Sequence, residues 1–460
     1  MHVWLILLVS SLALASILLS RKVVQEGGFF RGESADGSAP GLLTLIFSQV
    51  TTWNFARSLL NAAILGFYYG IWGTLAYAAY YLSFLTGGRI IDHLRFEQGY
   101  DSVQAFLRDR FGVWGGRCYN VVVGVRLVSE VFANLLVIGI LFGAAGSQSY
   151  TLAVIGLAAV TLFYSMLGGL HASLRTDVMQ MVIFLVVLAV LLIIVLGGGH
   201  FTVELFAFKP FDISQPGPIL LLVALLQVWS YPMHDPVMMD RGFLADRATT
   251  KRSFLHAGWI SSLSVIAFGS LGVIAGANAL TGEDMHQALS RLLGEFPMFL
   301  FSASLVISAM STLDSTLTSS AKMMVLDMRL MSASLRNGRM VMALFMLLGL
   351  LLVFIGNKDL FSAVAVSGTA SMYLVPVIFF SLWGNRRDIP VWSYLGSFVL
   401  AVSGSLLYFT ESSMYTALLG EVHKYTKLLW ICMVVMVGGC ALFMIGGASQ
   451  KQLQPVINNS

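Results

Sequence analysis

ASLRTDVMQMVIFLVVLAVLLIIVLG, residues 172–197, carries two charges near its start and is then apolar almost without interruption. A helix needs about 20 apolar residues to cross roughly 30 Å of hydrocarbon, and this run is long enough. Similar runs recur near 2–20, 42–69, 71–87, 118–145, 149–167, 216–231, 254–278, 295–325, 339–356, 360–383, 390–408 and 425–447, which makes about thirteen transmembrane helices. The runs are continuous, whereas a spanning β-barrel shows segments of about ten residues alternating with period two. The fold class is all-α integral membrane. Composition agrees, since 57% of the 460 residues are hydrophobic and 11% charged, against roughly a quarter charged in soluble domains. Cys118, Cys432 and Cys440 make no disulfide framework. The last two lie eight apart on one expected helix, about 12 Å along its axis.

The basic residues set the orientation. With the N-terminus outside, the outside connections hold only Lys209, Arg291, Lys358, Lys424 and Lys427. Arg57, Arg126 and Lys322 fall within spans, and the other 19 of the 27 Lys and Arg fall inside. This is the positive-inside asymmetry, and it accounts for the pI near 8.9 without a nucleic-acid partner. A multi-pass protein of the plasma (inner) membrane is expected, with a cytoplasmic C-terminus. The first run could end in a signal-peptidase site at 13–15. No Lys or Arg precedes it, however, and Arg21 and Lys22 follow it, so an uncleaved span is expected. The longest hydrophilic stretches, 88–117 and 232–253, read as inside loops. Residues 101–111, DSVQAFLRDRF, read as an amphipathic surface helix and 448–460 as a polar tail.

Six ionisable residues remain at membrane depth: Arg57, Arg126, Glu130, Asp177, Asp314 and Lys322. Each costs a few kcal/mol at the bilayer centre on insertion scales, so each faces protein or water. Lys322, five residues before Asp327 near a helix end, can pair or snorkel. Arg126 and Glu130 are an i,i+4 pair, open to a structural salt bridge or a place in the substrate pathway. Arg57 has no acidic residue within a turn and sits among Thr51, Thr52, Asn54, Ser58 and Asn61. A guanidinium there is suited to a carboxylate, hence to an anionic or zwitterionic solute.

The densest polar constellation is SAMSTLDSTLTSSAK, 308–322. Ser308, Ser311, Thr312, Ser315 and Ser319 fall on one helical face, with Asp314 beside them. A single membrane serine usually bonds back to its own helix. Five in a stripe with a carboxylate supply the hard oxygen donors that a dehydrated sodium ion needs. A second signal is GGLHASLRTDVMQ, 168–180, a Gly-rich turn leading to Asp177, which reads either as an ion ligand or as a helix-entry residue stabilised by the helix dipole. The eight His include no i,i+3 or i,i+4 pair, and neither a P-loop nor a GxSxG elbow occurs. No enzyme activity, ATP motor or metal other than sodium is expected.

GGLHASLRTDVMQ resembles the GG-x-x-A-x-x-x-TD-x-x-Q signature of the sodium:solute symporter family. SAMSTLDSTLTSSAKMMVLD resembles that family's Ser/Thr-rich helix. WSYPMHDPVMMDRGFLADR, 229–247, is similar to its W…Q..QR.LA stretch, with His234, Asp235 and Asp240 in place of the usual glutamines. The likeness covers roughly residues 1–445. It implies a leucine-transporter-type core of two inverted five-helix repeats with binding at the midplane. The repeats would be 42–197 and 216–383, after a leader span and inside loop (1–41) and before two trailing spans (390–447), all in one membrane domain. It also implies a main sodium site at the hydroxyls of Ser311 and Thr312, the carbonyl of Ser308 and carbonyls near Thr51 and Asn54. A second sodium would lie at Asp177, Asp314 and Ser315. Arg57, Ser58, Arg126 and Trp229 are expected to meet the substrate. The function expected is sodium-driven import of a small polar organic solute by alternating access. A proton-coupled transporter of the same fold and a non-transporting membrane sensor are the alternatives.

Overall fold

The computed structural model describes residues 2–457 except Arg21, Lys22, Val24, His200, Phe201 and 356–359. Three of the cations used to orient the chain, Arg21, Lys22 and Lys358, lie outside the described residues. All regular elements among the described residues are helical. Eight helices are long and apolar enough to cross a membrane. Shorter apolar helices cover Val3–Leu19, Leu42–Trp53, Pro216–Gln227 and Leu374–Trp383.

Three long helical stretches double back on themselves without a loop, each at one glycine. Gly70 (φ 63°, ψ −150°), Gly112 (φ 62°, ψ −150°) and Gly169 (φ 56°, ψ −143°) adopt a conformation from which a Cβ is excluded. At the first two, a glycine three residues on allows the arms to touch. A Cβ on Gly73 would stand 2.2 Å from the Leu65 carbonyl oxygen, and one on Gly115 would stand 2.1 Å from that of Leu107. At Gly169 the reversal shows in the hydrogen bonding. Ser165 and Thr176 are about 16 Å apart along a straight helix, yet both donate to the Asp314 carboxylate, at 2.7 and 2.9 Å. The Gly-rich turn is thus a single-residue reversal. Asp177 lies two turns into the following arm, so the helix-entry reading does not hold.

Two other helices are interrupted instead of folded back. Leu42–Trp53 ends and Ala56–Ala79 begins across Asn54 (ψ 59°) and Phe55 (ψ 145°), with neither Pro nor Gly at the break. Pro216–Gln227 gives way to turns and the short 3-10 helix Pro232–His234, and resumes as the buried helix Pro236–Gly242. Backbone groups freed inside a membrane must find partners, and side chains provide them here. Tyr81 donates to the Trp53 carbonyl (2.8 Å), and the Ala56 N–H donates to Asn134 Oδ1 (3.2 Å). Thr86 donates to the Val228 carbonyl (2.7 Å) and Tyr119 to the Met233 carbonyl (2.8 Å). The Asp235 side chain caps Pro236–Gly242 at the Met238 N–H.

The second interruption corrects the reading of 232–253 as an inside loop. His234, Asp235, Asp240 and Arg241 are all buried within the protein instead of exposed in a connection.

The Arg247–Ala277 helix packs along the 56–79 hairpin through small residues, as membrane helices do when their backbones approach closely. A Cβ added to Gly272 would meet the Ala63 carbonyl oxygen at 1.8 Å, and one on Gly276 that of Phe67 at 2.2 Å.

Candidate functional site

The Glu295–Lys322 helix runs buried beside both interruptions and divides its hydroxyls between two tasks. Thr312, Thr316 and Ser320 bond back to carbonyls four residues earlier, at 2.7–2.9 Å. The stripe Ser308, Ser311, Ser315, Ser319 and Lys322 instead reaches other elements. Ser308 Oγ donates to the Asn54 carbonyl at the first break. Ser311 Oγ donates to Asp177 Oδ1 (2.6 Å), and Ser315 Oγ donates to Asp177 Oδ2 (3.4 Å). Ser315 and Ser319 accept from Arg241 at 2.8 and 3.4 Å. Lys322 Nζ donates to Asp240 (2.6 Å) and Asp327 (3.2 Å). The pairing reading of Lys322 is therefore the one observed. The stripe spans about 21 Å of helix.

Its Lys322 end opens into a cavity of about 740 Å³ whose lining includes Arg31, Arg95, Asp101, Arg108, Asp327 and Arg329.

The residues read as main-site ligands come together only in part. Asn54 and Ser308 touch, and Thr312 sits one turn from Ser308 with its hydroxyl on the Ser308 carbonyl. Thr51 is buried on the same helix as the break. Ser311 turns to Asp177 instead. Asp177, Asp314 and Ser315 do cluster, but with Arg241, which was counted as a loop cation. Its guanidinium lies 3.7 Å from Asp177 Oδ2 and is fully buried.

Arg57 is not a free cation. Its Nη2 bonds Glu130 Oε2 at 2.6 Å, and Arg126 bonds the same oxygen. Arg126 Nη2 then reaches Asp235 Oδ2 at 2.9 Å. Both interrupted helices and the Val103–Phe142 helix between them are joined by this neutral tetrad, whose side chains are at most 3% exposed. Glu130 lies 73 residues from Arg57, so no inspection of local sequence could pair them. The Arg57 Nε and Nη1 and the Asn54 side-chain amide have no hydrogen-bond partner among the described residues. The Phe55 ring lies 5.1 Å from the Arg57 guanidinium and 5.4 Å from that of Arg126. Ser58 bonds Tyr77 Oη at 3.0 Å.

Trp229 is a second correction. Its side chain faces outward, 37% exposed, against Phe379 and Trp383. The ring turned inward from this segment is that of Tyr231. Tyr231 packs edge-on 5.7 Å from the buried Trp53, which also contacts Tyr81 and Phe84. Elsewhere, Asp92, His93 and Glu97 converge as metal ligands would, but Arg247 already bonds both carboxylates.

No family model matches the chain, and no curated protein matches it in sequence. Solved structures do match. A Na+-coupled sialic acid symporter, substrate-bound and outward-open, aligns over 96% of this chain and 97% of its own, with a TM-score of 0.73 and 13% identity. A nucleobase-cation-symport-1 family transporter, closed with bromovinylhydantoin bound, gives 0.58 at 14% identity over 92% and 94%. A manganese transporter of Eremococcus coleocola gives 0.53 at 14% identity over 90% and 94%. The fold is that of the leucine-transporter-type secondary transporters. In that fold the two inverted repeats each contribute a discontinuous helix to the midplane. This chain has two interrupted helices of its own, at 54–55 and 228–235.

Proposed function

We propose that this chain is a sodium-coupled symporter, a distant relative of the sodium:solute symporters, which imports a small zwitterionic organic solute by alternating access. The observation that carries the reading is the meeting of the Asn54 carbonyl with Ser308 at the first break, one turn from the Thr312 hydroxyl. Carbonyls freed by unwinding, together with hydroxyls from a facing helix, form the hard oxygen set suited to sodium. In this reading Thr51, Asn54, Ser308 and Thr312 hold the ion, and Ser311, bonded to Asp177, stands beside it.

The solute would lie between the breaks, beside Trp53, Arg57, Arg126 and Tyr231. The neutral tetrad favours a zwitterion over a simple anion. A carboxylate can take the unpartnered Nε and Nη1 of Arg57, while an ammonium group offsets the added charge near Glu130 and Asp235. The positive-inside distribution supports an outside N-terminus and a plasma-membrane location, with Arg241 removed from the inside set.

Proton coupling is the second reading, and Asp314 favours it. This carboxyl is fully buried, and among the described residues its hydrogen-bond donors are the Ser165 and Thr176 hydroxyls alone, a setting suited to carrying a proton.

Thermal unfolding of the purified protein in sodium against choline separates the two. Sodium bound at 100 times its Kd stabilises the folded state by about 2.7 kcal/mol. A midpoint that rises with sodium and is flat in Thr312→Ala supports the main site. A midpoint indifferent to sodium but dependent on pH through Asp314 supports the proton.

A further inference from the structure

The cluster around Asp177 contains a cation that belongs to the chain. Arg241 lies on Pro236–Gly242, beyond the second break, and its guanidinium is wholly buried. Arg241 Nε donates to Ser48 Oγ (3.2 Å), Nη1 to Ser319 Oγ (3.4 Å) and Nη2 to Ser315 Oγ (2.8 Å). Ser48 and Ser315 in turn donate their own protons to Asp177 Oδ2, at 2.6 and 3.4 Å. The Ser48 hydroxyl is thus oriented, with its proton toward the carboxylate and a lone pair toward the guanidinium, and Ser315, which also lies 3.2 Å from Ser173 Oγ, likewise gives a lone pair to the guanidinium.

A sodium ion held by Asp177 would need the same lone pairs. It would also have to stand beside a guanidinium 3.7 Å from the carboxylate. Like charges brought within a few ångströms of each other in a poorly screened interior repel strongly. The donor set around Asp177 therefore does not fit a second sodium.

We propose that Arg241 is a tethered counter-cation which occupies the place of a second sodium and limits the ions bound per chain to the one held at Asn54, Ser308 and Thr312. The count of one rests on the sodium reading above. The exclusion at Asp177 does not. A tethered cation neutralises Asp177 in every state of the cycle in which the pair is intact, without being carried across the membrane. Arg241 also follows Asp240, which bonds Lys322 at the head of the 740 Å³ cavity. Movement of the short helix would therefore alter the pair and the cavity entrance together.

The test is a count of bound sodium. Radioactive ²²Na+ binding is measured on the purified full-length protein in lipid nanodiscs, for the wild type, Arg241→Gln, Arg241→Lys and the double variant Arg241→Gln/Asp177→Asn. The expected stoichiometries are one ion for the wild type, two for Arg241→Gln, one for Arg241→Lys and one for the double variant. An extra ion in Arg241→Gln that vanishes with Asp177 establishes that the guanidinium stood in its place. Two ions on the wild type overturn the proposal even if the variants fail to fold, and so does an Arg241→Gln protein that folds and gains none. Zero on the wild type with one on Arg241→Gln removes the main sodium site and leaves the tethered cation standing.

Discussion

Arg57 and Glu130, 73 residues apart, form a buried ion pair of 2.6 Å that ties the first interrupted helix to Val103–Phe142. Through Arg126 and Asp235 the tie extends to the second interruption. Removing one partner of a buried pair leaves an uncompensated charge and costs about 3–5 kcal/mol, whereas replacing both by apolar groups is often neutral. Arg57→Met and Glu130→Met are therefore each expected to lower the unfolding midpoint sharply, and the double variant to regain much of the loss. A double-mutant cycle on the purified protein measures this. Additive losses would contradict the pairing.

Two adjacent hydroxyls should separate stability from ion binding. Among the described residues the Thr312 hydroxyl bonds the Ser308 carbonyl of its own helix and no other group, so Thr312→Ala is expected to weaken sodium-dependent stabilisation with little effect in choline. Ser311 donates at 2.6 Å to a buried carboxylate, and losing a donor to such a group costs about 1–3 kcal/mol. Ser311→Ala should accordingly lower the midpoint in choline as well as weakening sodium dependence. Identical behaviour of the two variants would show that the stripe is not divided as described.

Helix packing offers a test independent of function. Gly272→Ala places a Cβ 1.8 Å from the Ala63 carbonyl oxygen, and backbone cannot yield as a flexible side chain does. The expected loss is at the upper end of the about 1–3 kcal/mol typical of overpacking. Gly156, with nothing within 4 Å of its Cβ position, is the control. Gly156→Ala should be neutral or gain up to about 1 kcal/mol from helix propensity. Monodisperse yield and unfolding midpoints read both.

Two tryptophans carry opposite expectations. Trp53 is 2% exposed and packed on Tyr81, Phe84 and Tyr231, whereas Trp229 faces outward at 37%. Trp53→Ala should abolish uptake of a transported solute in cells producing comparable protein. Trp229→Leu should retain most of it. The reverse pattern would move the substrate site to the outer face.

Much of the fold was legible because hydrocarbon imposes one-dimensional rules of run length and polar placement. The hydroxyl stripe was legible because it repeats within one helix. The second interruption is bracketed by Pro216, Pro218, Pro232 and Pro236, whereas the first, at Asn54 and Phe55, has neither Pro nor Gly and is marked only by its polar neighbours. What stayed hidden depends on distance along the chain. Arg57 looked unpaired because Glu130 arrives from another helix, and Arg241 looked like a loop cation because three acidic or imidazole side chains stand in the seven residues before it. Hydropathy averages cannot distinguish a solvated charge cluster from one buried against serines of two other helices. Trp229 was expected to meet the substrate only through the resemblance, which carries no information on which way its ring turns.

The central claim is that a sodium gradient drives solute import through the breaks at 54–55 and 228–235. Its most direct test is uptake into proteoliposomes containing the purified protein, with a panel of radiolabelled zwitterionic solutes and an imposed inward sodium gradient. The account predicts that at least one solute accumulates above its external concentration, that this accumulation collapses when choline replaces sodium, and that Thr312→Ala reduces it severalfold. Accumulation of the same solute driven by a pH gradient in sodium-free buffer, and unchanged in Thr312→Ala, would contradict it.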